Sequence, residues 1–222
     1  MLLKKGWNVY GFSRNMSIEL NTLIQKYPQA LRWLLYDLSD YQHVQQLIFK
    51  DWIGMETPVH GFVNNAALAY DDLISNLNME SLEQMYRVNV FTPMNITKYS
   101  IRQMLLHGIQ GSFVHISSIS VHTGYKGLAM YASTKGALEA FSKNTAREWG
   151  EKGIRSNCVV SGFMDTDMSA SLSEEQKKRI YQRSALKIPV SKDSVSESVA
   201  FLLSDKAVSI TGQNIFVDSG TI

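Results

Sequence analysis

Short apolar runs alternate along the chain with longer stretches in which apolar residues recur every three or four positions. Six runs read as strands buried on both faces: residues 8–12, 31–36, 59–64, 112–116, 157–160 and 215–217. Between them the helical period predicts helices over 18–26, 44–52, 82–106, 130–149, 174–183 and 195–203. In the fourth of these, Leu138, Phe141, Thr145 and Trp149 fall on one stripe. Asp40 and Ser173 are placed to cap the second and fifth helices, Ser173 with Gln176 three positions on as the partner of a capping box. Regular alternation of strand and helix predicts an α/β fold, a Rossmann-type doubly wound parallel sheet with helices on both faces. No linker interrupts it, so residues 1–222 read as a single domain.

Composition narrows the function without naming it. An apolar fraction of 45% with 19% charged residues suits an ordinary globular protein. The net charge is +2 and the basic residues run no longer than the pairs Lys4-Lys5 and Lys177-Lys178, which gives no footprint for nucleic acid. No segment has the roughly 18 apolar residues of a membrane span, and the first residues lack a signal peptide's apolar stretch, so a cytoplasmic protein is expected. Cys158 is the sole cysteine and sits in the apolar run Cys158-Val159-Val160, where a buried strand thiol is expected. The five histidines stand far from any Cys or carboxylate at ligand spacing, and no metal site is expected.

The candidate chemistry lies in Tyr131-Ala132-Ser133-Thr134-Lys135. Spacing of i,i+4 puts phenol and ammonium on one helix face. Thirteen residues upstream, the strand Phe113-Val114-His115-Ile116 ends in Ser117-Ser118-Ile119-Ser120. In an open α/β sheet ligands bind off the carboxyl ends of the strands, so Ser118 stands where chemistry is done.

Strand, Ser-Ser, and then Tyr-x-x-x-Lys resembles the short-chain dehydrogenase/reductase family. The resemblance extends over nearly the whole chain: Asn64-Asn65-Ala66-Ala67, Asn89 within Arg87-Val88-Asn89-Val90, Gly162-Phe163-Met164-Asp165-Thr166-Asp167-Met168, and Thr211-Gly212-Gln213-Asn214 leading to Asp218. The last two segments look most like bacterial 3-oxoacyl-acyl-carrier-protein reductases. It implies an NAD(P)H-dependent oxidoreductase that reduces a carbonyl, of a small molecule or an acyl thioester, to a secondary alcohol. Tyr131 would donate the proton, Ser118 would hydrogen-bond the oxygen, Lys135 would hold the nicotinamide ribose, and Asn89 would hold a water relaying protons to Lys135. A phenol with a pKa of about 10 needs ~4 kcal/mol to come down by ~3 units, which one ammonium at ~4 Å in an effective dielectric of ~20 supplies.

The same resemblance places the cofactor on Ser13, Arg14, Asp37, Leu38, Asn64, Ala66, Tyr131, Lys135, Gly162 and Thr166. Ser13 stands where relatives that prefer NAD carry an acid, and Arg14 follows it. A guanidinium suits a 2′-phosphate, so NADP(H) is expected over NAD(H). Residues 166–188 would form the substrate-specific lid, with an apolar wall. A homo-oligomer, commonly a tetramer, is expected through the helices at 82–106 and 130–149.

The chain departs from the family at three places. Ala67 replaces a glycine, and Ser161 replaces a proline. The family's Thr-Gly-x-x-x-Gly-x-Gly loop and the first strand before it are missing, with Leu2-Leu3-Lys4-Lys5-Gly6 reading as the last turn of the helix that follows that loop. A start some twenty-odd residues upstream is therefore expected. The alternatives are an inactive truncated reductase or a non-catalytic subunit of the same fold.

Overall fold

The computed structural model describes residues 1–166, 169 and 172–222. All six expected strands form, each within two residues of its predicted ends: β1 Val9–Ser13, β2 Leu31–Leu35, β3 Gly61–Asn64, β4 Ser112–Ser118, β5 Arg155–Ser161 and β6 Asn214–Val217. The helices are α1 Ile18–Lys26, α2 Met79–Tyr86, α3 Thr92–Leu106, α4 Ala129–Trp149, α5 Glu174–Tyr181 and α6 Lys192–Leu203. A further helical segment, Val44–Ile53, is π-bonded. All strand pairs are parallel.

Alternate residues of β4 show how the sheet is covered. Val114 and Ile116 pack beneath α6 with Val199, Leu202 and Leu203. Phe113 packs on the other face with Ile101 and Met104 of α3, and the His115 ring lies 5.8 Å from that of Phe141 on α4. Period two in the strand thus feeds two separate apolar layers, each fully buried side chain contributing roughly 1.5–3 kcal/mol. The doubly wound arrangement is as expected.

The sheet, however, is in two pieces. β1 pairs only with β2, and β3–β4–β5–β6 form the other. Between the facing edges runs a cleft of about 1010 Å³, lined by residues 9–12 of β1, 61–63 of β3, and Ile96 and Ser100 of α3. Side chains of α3 tie the pieces together. Thr92 Oγ1 donates to Leu38 O at 2.5 Å, and Asn95 Nδ2 donates to Tyr41 O at 2.7 Å.

Two local readings need correction. Asp40 does not cap the helix after it. Its Oδ1 accepts from His43 N at 3.3 Å and from the His43 ring at 2.8 Å, and the helix starts three residues later than that cap requires. The single helix expected over 82–106 is interrupted by a π turn at Arg87–Phe91, its backbone staying right-handed at both flanks. Ser173 and Gln176 do form the capping box. Leu2–Lys5 forms a short 3₁₀ turn ending at Gly6, whose φ of 81° favours glycine.

Candidate active site

Ser118 is the last residue of β4 and the cap of the single 3₁₀ turn Ile119–Val121. Its Oγ accepts from Ser120 N at 3.2 Å and from Ser120 Oγ at 3.0 Å. A hydroxyl has two acceptor lone pairs and one proton. Both lone pairs are therefore engaged, and the proton is left to donate. Ser120, to which the sequence assigned no role, makes Ser118 a donor.

Tyr131 and Lys135 lie in the first two turns of α4, which packs across β4 and β5. Lys135 is 2% exposed, and its Nζ donates to Ile116 O at 2.8 Å, two residues before Ser118. That bond brings the ammonium to the end of the strand bearing the serine. Burial pushes its pKa down to about 8. The expected effect on the phenol is not seen. Nζ lies 5.6 Å from the centre of the Tyr131 ring, and burial, with the Asp71 carboxylate second, pushes the phenol up to about 12. Desolvation outweighs the ammonium, whose charge is directed at a carbonyl instead. A phenol held up keeps its proton at neutral pH, which is the state of a proton donor.

Asn89 sits at the π turn and is completely buried. Its Oδ1 accepts from Leu68 N at 2.7 Å, while Nδ2 donates to Leu68 O at 2.8 Å and to Thr134 Oγ1 at 3.0 Å. Both amide protons are spent, so the side chain acts as a clamp. It fixes the loop after β3 against the turn of α4 between Tyr131 and Lys135. That clamp explains how Asp71, close in sequence to Leu68, reaches the electrostatic surroundings of Tyr131. Nothing in the local sequence marked Asp71, because its position depends on the fold alone.

The residues expected to hold the cofactor fall into two groups. Asn64, Ala66, Gly162 and Thr166 lie with the catalytic candidates at the carboxyl ends of β3 and β5. Asn64 is buried with Nδ2 unpartnered, and Ala66 lines the cleft. Gly162 follows Ser161, the register partner of Ser118. A Cβ there would come within 2.7 Å of Asp218 Cα, so close packing accounts for the glycine. Thr166 N donates to Ser169 Oγ at 3.0 Å. Asp167 and Met168 of the same motif, with Ala170 and Ser171 of the expected lid, lie outside the described residues. The second group, Ser13, Arg14, Asp37 and Leu38, belongs to the two-stranded piece. The Ser13 hydroxyl accepts from Trp33 Nε1 and donates to Asn15 O, both at 2.8 Å, so its proton shapes the loop. Arg14 is exposed. Asp37 Oδ1 accepts from Ser39 N at 2.8 Å.

A family profile described as enoyl-(acyl carrier protein) reductase matches residues 1–221. L-xylulose reductase of Caenorhabditis elegans is 32% identical over 223 residues, 99% of this chain and 87% of that one.

The chain belongs to the short-chain dehydrogenase/reductase family.

Other members are similar at comparable distance. Carbonyl reductase [NADPH] 2 of Sus scrofa is 31% identical over 91% of this chain and 81% of its own. 3-oxoacyl-[acyl-carrier-protein] reductase FabG of Aquifex aeolicus is 35% identical over 78% and 69%. Among solved structures, ElxO with NADP bound superposes with a TM-score of 0.86 at 24% identity, covering 99% of this chain and 90% of that one. 4-hydroxyisoleucine dehydrogenase complexed with NADH and succinate gives 0.88 at 22%, covering 99% and 91%. These two share the fold. As a family member, the chain is of the oxidoreductase class.

Proposed function

We propose that this short-chain dehydrogenase/reductase uses NADPH to reduce a ketone to a secondary alcohol. The observation that carries the reading is the state of the Ser118 hydroxyl, both lone pairs engaged and its proton free, at the end of the strand to which Lys135 is bonded. Bound NADPH supplies the hydride. Ser118 donates a hydrogen bond to the substrate oxygen as charge builds there, and Tyr131, which retains its proton, passes it to that oxygen. Lys135 has protons beyond the one given to Ile116 O, and these suit ribose hydroxyls. The unpartnered Asn64 amide adds a buried donor beside them. The residues present fit the nicotinamide ribose at one end and, through exposed Arg14, a 2′-phosphate at the other.

Two relatives named above are a carbonyl reductase and an L-xylulose reductase, and a third is a 3-oxoacyl-[acyl-carrier-protein] reductase. We place the substrate in the second class, on the likeness of residues 162–168 and 211–218 to those reductases. The enzyme is proposed to act in the cytoplasm as a homotetramer joined through α3 and α4.

The test is NADPH oxidation by the wild-type chain against a panel of 3-oxoacyl thioesters and small ketoses. Tyr131→Phe removes the transferred proton and little volume, so kcat should fall by ~10² to 10⁴ with NADPH affinity retained. Wild-type kcat in that variant would rule out Tyr131 as the acid. Arg14→Asp should move the NADPH-to-NADH preference by about tenfold, less than a buried charge-assisted pair would give because Arg14 is exposed. An unchanged ratio would place the 2′-phosphate elsewhere.

A further inference from the structure

Glu139 lies on α4 one turn beyond Lys135 and two beyond Tyr131, and is 8% exposed. Three side chains converge on its carboxylate. The Ser117 hydroxyl donates to Oε1. Asn214 Nδ2, at the start of β6, donates to Oε2 at 2.6 Å. His122 Nε2 stands 3.0 Å from Oε1 and 2.9 Å from Oε2, with its ring edge-on to Phe216, centroids 4.9 Å apart.

The order of these partners along the chain is the point of interest. Ser117 and His122 are the two flanks of residues 118–121, the segment that begins with Ser118 and forms the 3₁₀ turn. A lone 3₁₀ turn has little stability of its own, so its orientation is set by whatever holds its ends. Both ends are held by one carboxylate, on the helix that carries Tyr131 and Lys135. Lys135 reaches only Ile116 O, before the serine. A buried carboxylate is tolerated when its oxygens are hydrogen-bonded, and these donors meet that requirement.

We propose that Glu139 is the positioning residue that sets Ser118 against Tyr131, by bracketing the 118–121 segment from the catalytic helix. The inference rests on the carbonyl-reductase reading for its effect on rate, and on the geometry alone for the bracket. A displacement of ~1 Å at a reacting group costs up to ~10²-fold. Glu139 is buried and its oxygens are taken by Ser117, Asn214 and His122, so the loss is expected in kcat and not in binding.

The test uses Glu139→Gln and, as a milder probe should that variant fail to fold, Ser117→Ala. In Glu139→Gln we expect kcat to fall roughly 10- to 100-fold, with KM and NADPH affinity within about twofold of wild type. Combined with Ser118→Ala, Glu139→Gln should add little further loss, because it acts through that serine. Ser117→Ala should show a smaller drop of the same kind. Fully multiplicative losses in the double variant, or unchanged kcat in Glu139→Gln, overturn the proposal. Amide exchange of residues 119–122 should quicken at least about tenfold in either variant while residues 140–146 keep wild-type rates. Equal rates overturn the bracket. A wild-type chain that reduces nothing in the panel overturns the functional reading and the rate effect drawn from it, and the exchange measurement still decides the bracket.

Discussion

Lys135 shows how one side chain can serve the site and burden the fold. Burial holds its pKa near 8 against an ordinary 10.5, which corresponds to a penalty of about 3 kcal/mol on the charged form, at ~1.4 kcal/mol per tenfold. Its bond to Ile116 O returns ~1 kcal/mol. Lys135→Met, of similar length and uncharged, should therefore abolish reduction while raising stability by ~1–2 kcal/mol at pH 7, measured by urea unfolding. The folded pKa is depressed, so the penalty is full below pH 8 and fades as pH rises toward 10.5, where the unfolded chain also loses its proton. The advantage of the variant should close over that window. A gap that widened with pH would mean that the ammonium is better solvated than its burial suggests.

At the scale of elements, the facing edges of β1 and β3 are the unusual feature. Val9 N donates to Ala30 O and Ser13 O accepts from Tyr36 N, so odd-numbered residues of β1 face β2. Alternation then turns the main-chain groups of Tyr10 and Phe12 to the cleft. Ser112 N donates to His60 O, which by the same alternation turns Gly61 and Val63 toward it from the other side. All four residues line the cleft. Their amides should exchange at least about a hundredfold faster than those of Val114 and Val159, which lie in the paired centre of the four-stranded piece. Hydrogen-exchange mass spectrometry or NMR would read this directly. Slow exchange at all four would show that the edges are paired in solution.

For the molecule as a whole, the two sheet pieces are held through α3, by Thr92 to Leu38 and Asn95 to Tyr41. The same helix and its neighbours leave apolar side chains outward: Met79 is 66% exposed, Leu106 62% and Phe91 39%. Burying such residues between copies would stabilise an assembly by ~25 cal/mol per Å². Light scattering at micromolar concentration should therefore give the mass of four chains, each 25.1 kDa. A mass of one chain would remove the tetramer from the proposal.

Element types and the buried thiol were legible in the sequence because they depend on local periodicity. Strand residues alternate between two apolar layers, α1 obeys its period from Ile18 to Lys26, and Cys158 lies among the buried residues of β5. The placement of Ser118 at a strand end and of Tyr131 and Lys135 on one helix was legible because these are also local features. What the sequence could not show depends on groups distant along the chain meeting in space. The Asn89 amide is spent on Leu68 and Thr134, 21 and 45 residues away. Asp40 loses its capping role because the helix after it starts only at Val44, with His43 at the cap position. Tyr131 is shifted upward, not downward, because desolvation is a property of the packed site and exceeds the charge of a lysine bonded elsewhere. Glu139 meets Ser117 and Asn214 only when β4, α4 and β6 come together, whereas Ser120 bonds Ser118 two residues away. Periodicity thus determined which segments form and which face is apolar, while the hydrogen-bond partner of each buried polar atom was decided by tertiary structure, since a buried group must take whatever donor or acceptor the fold brings within reach.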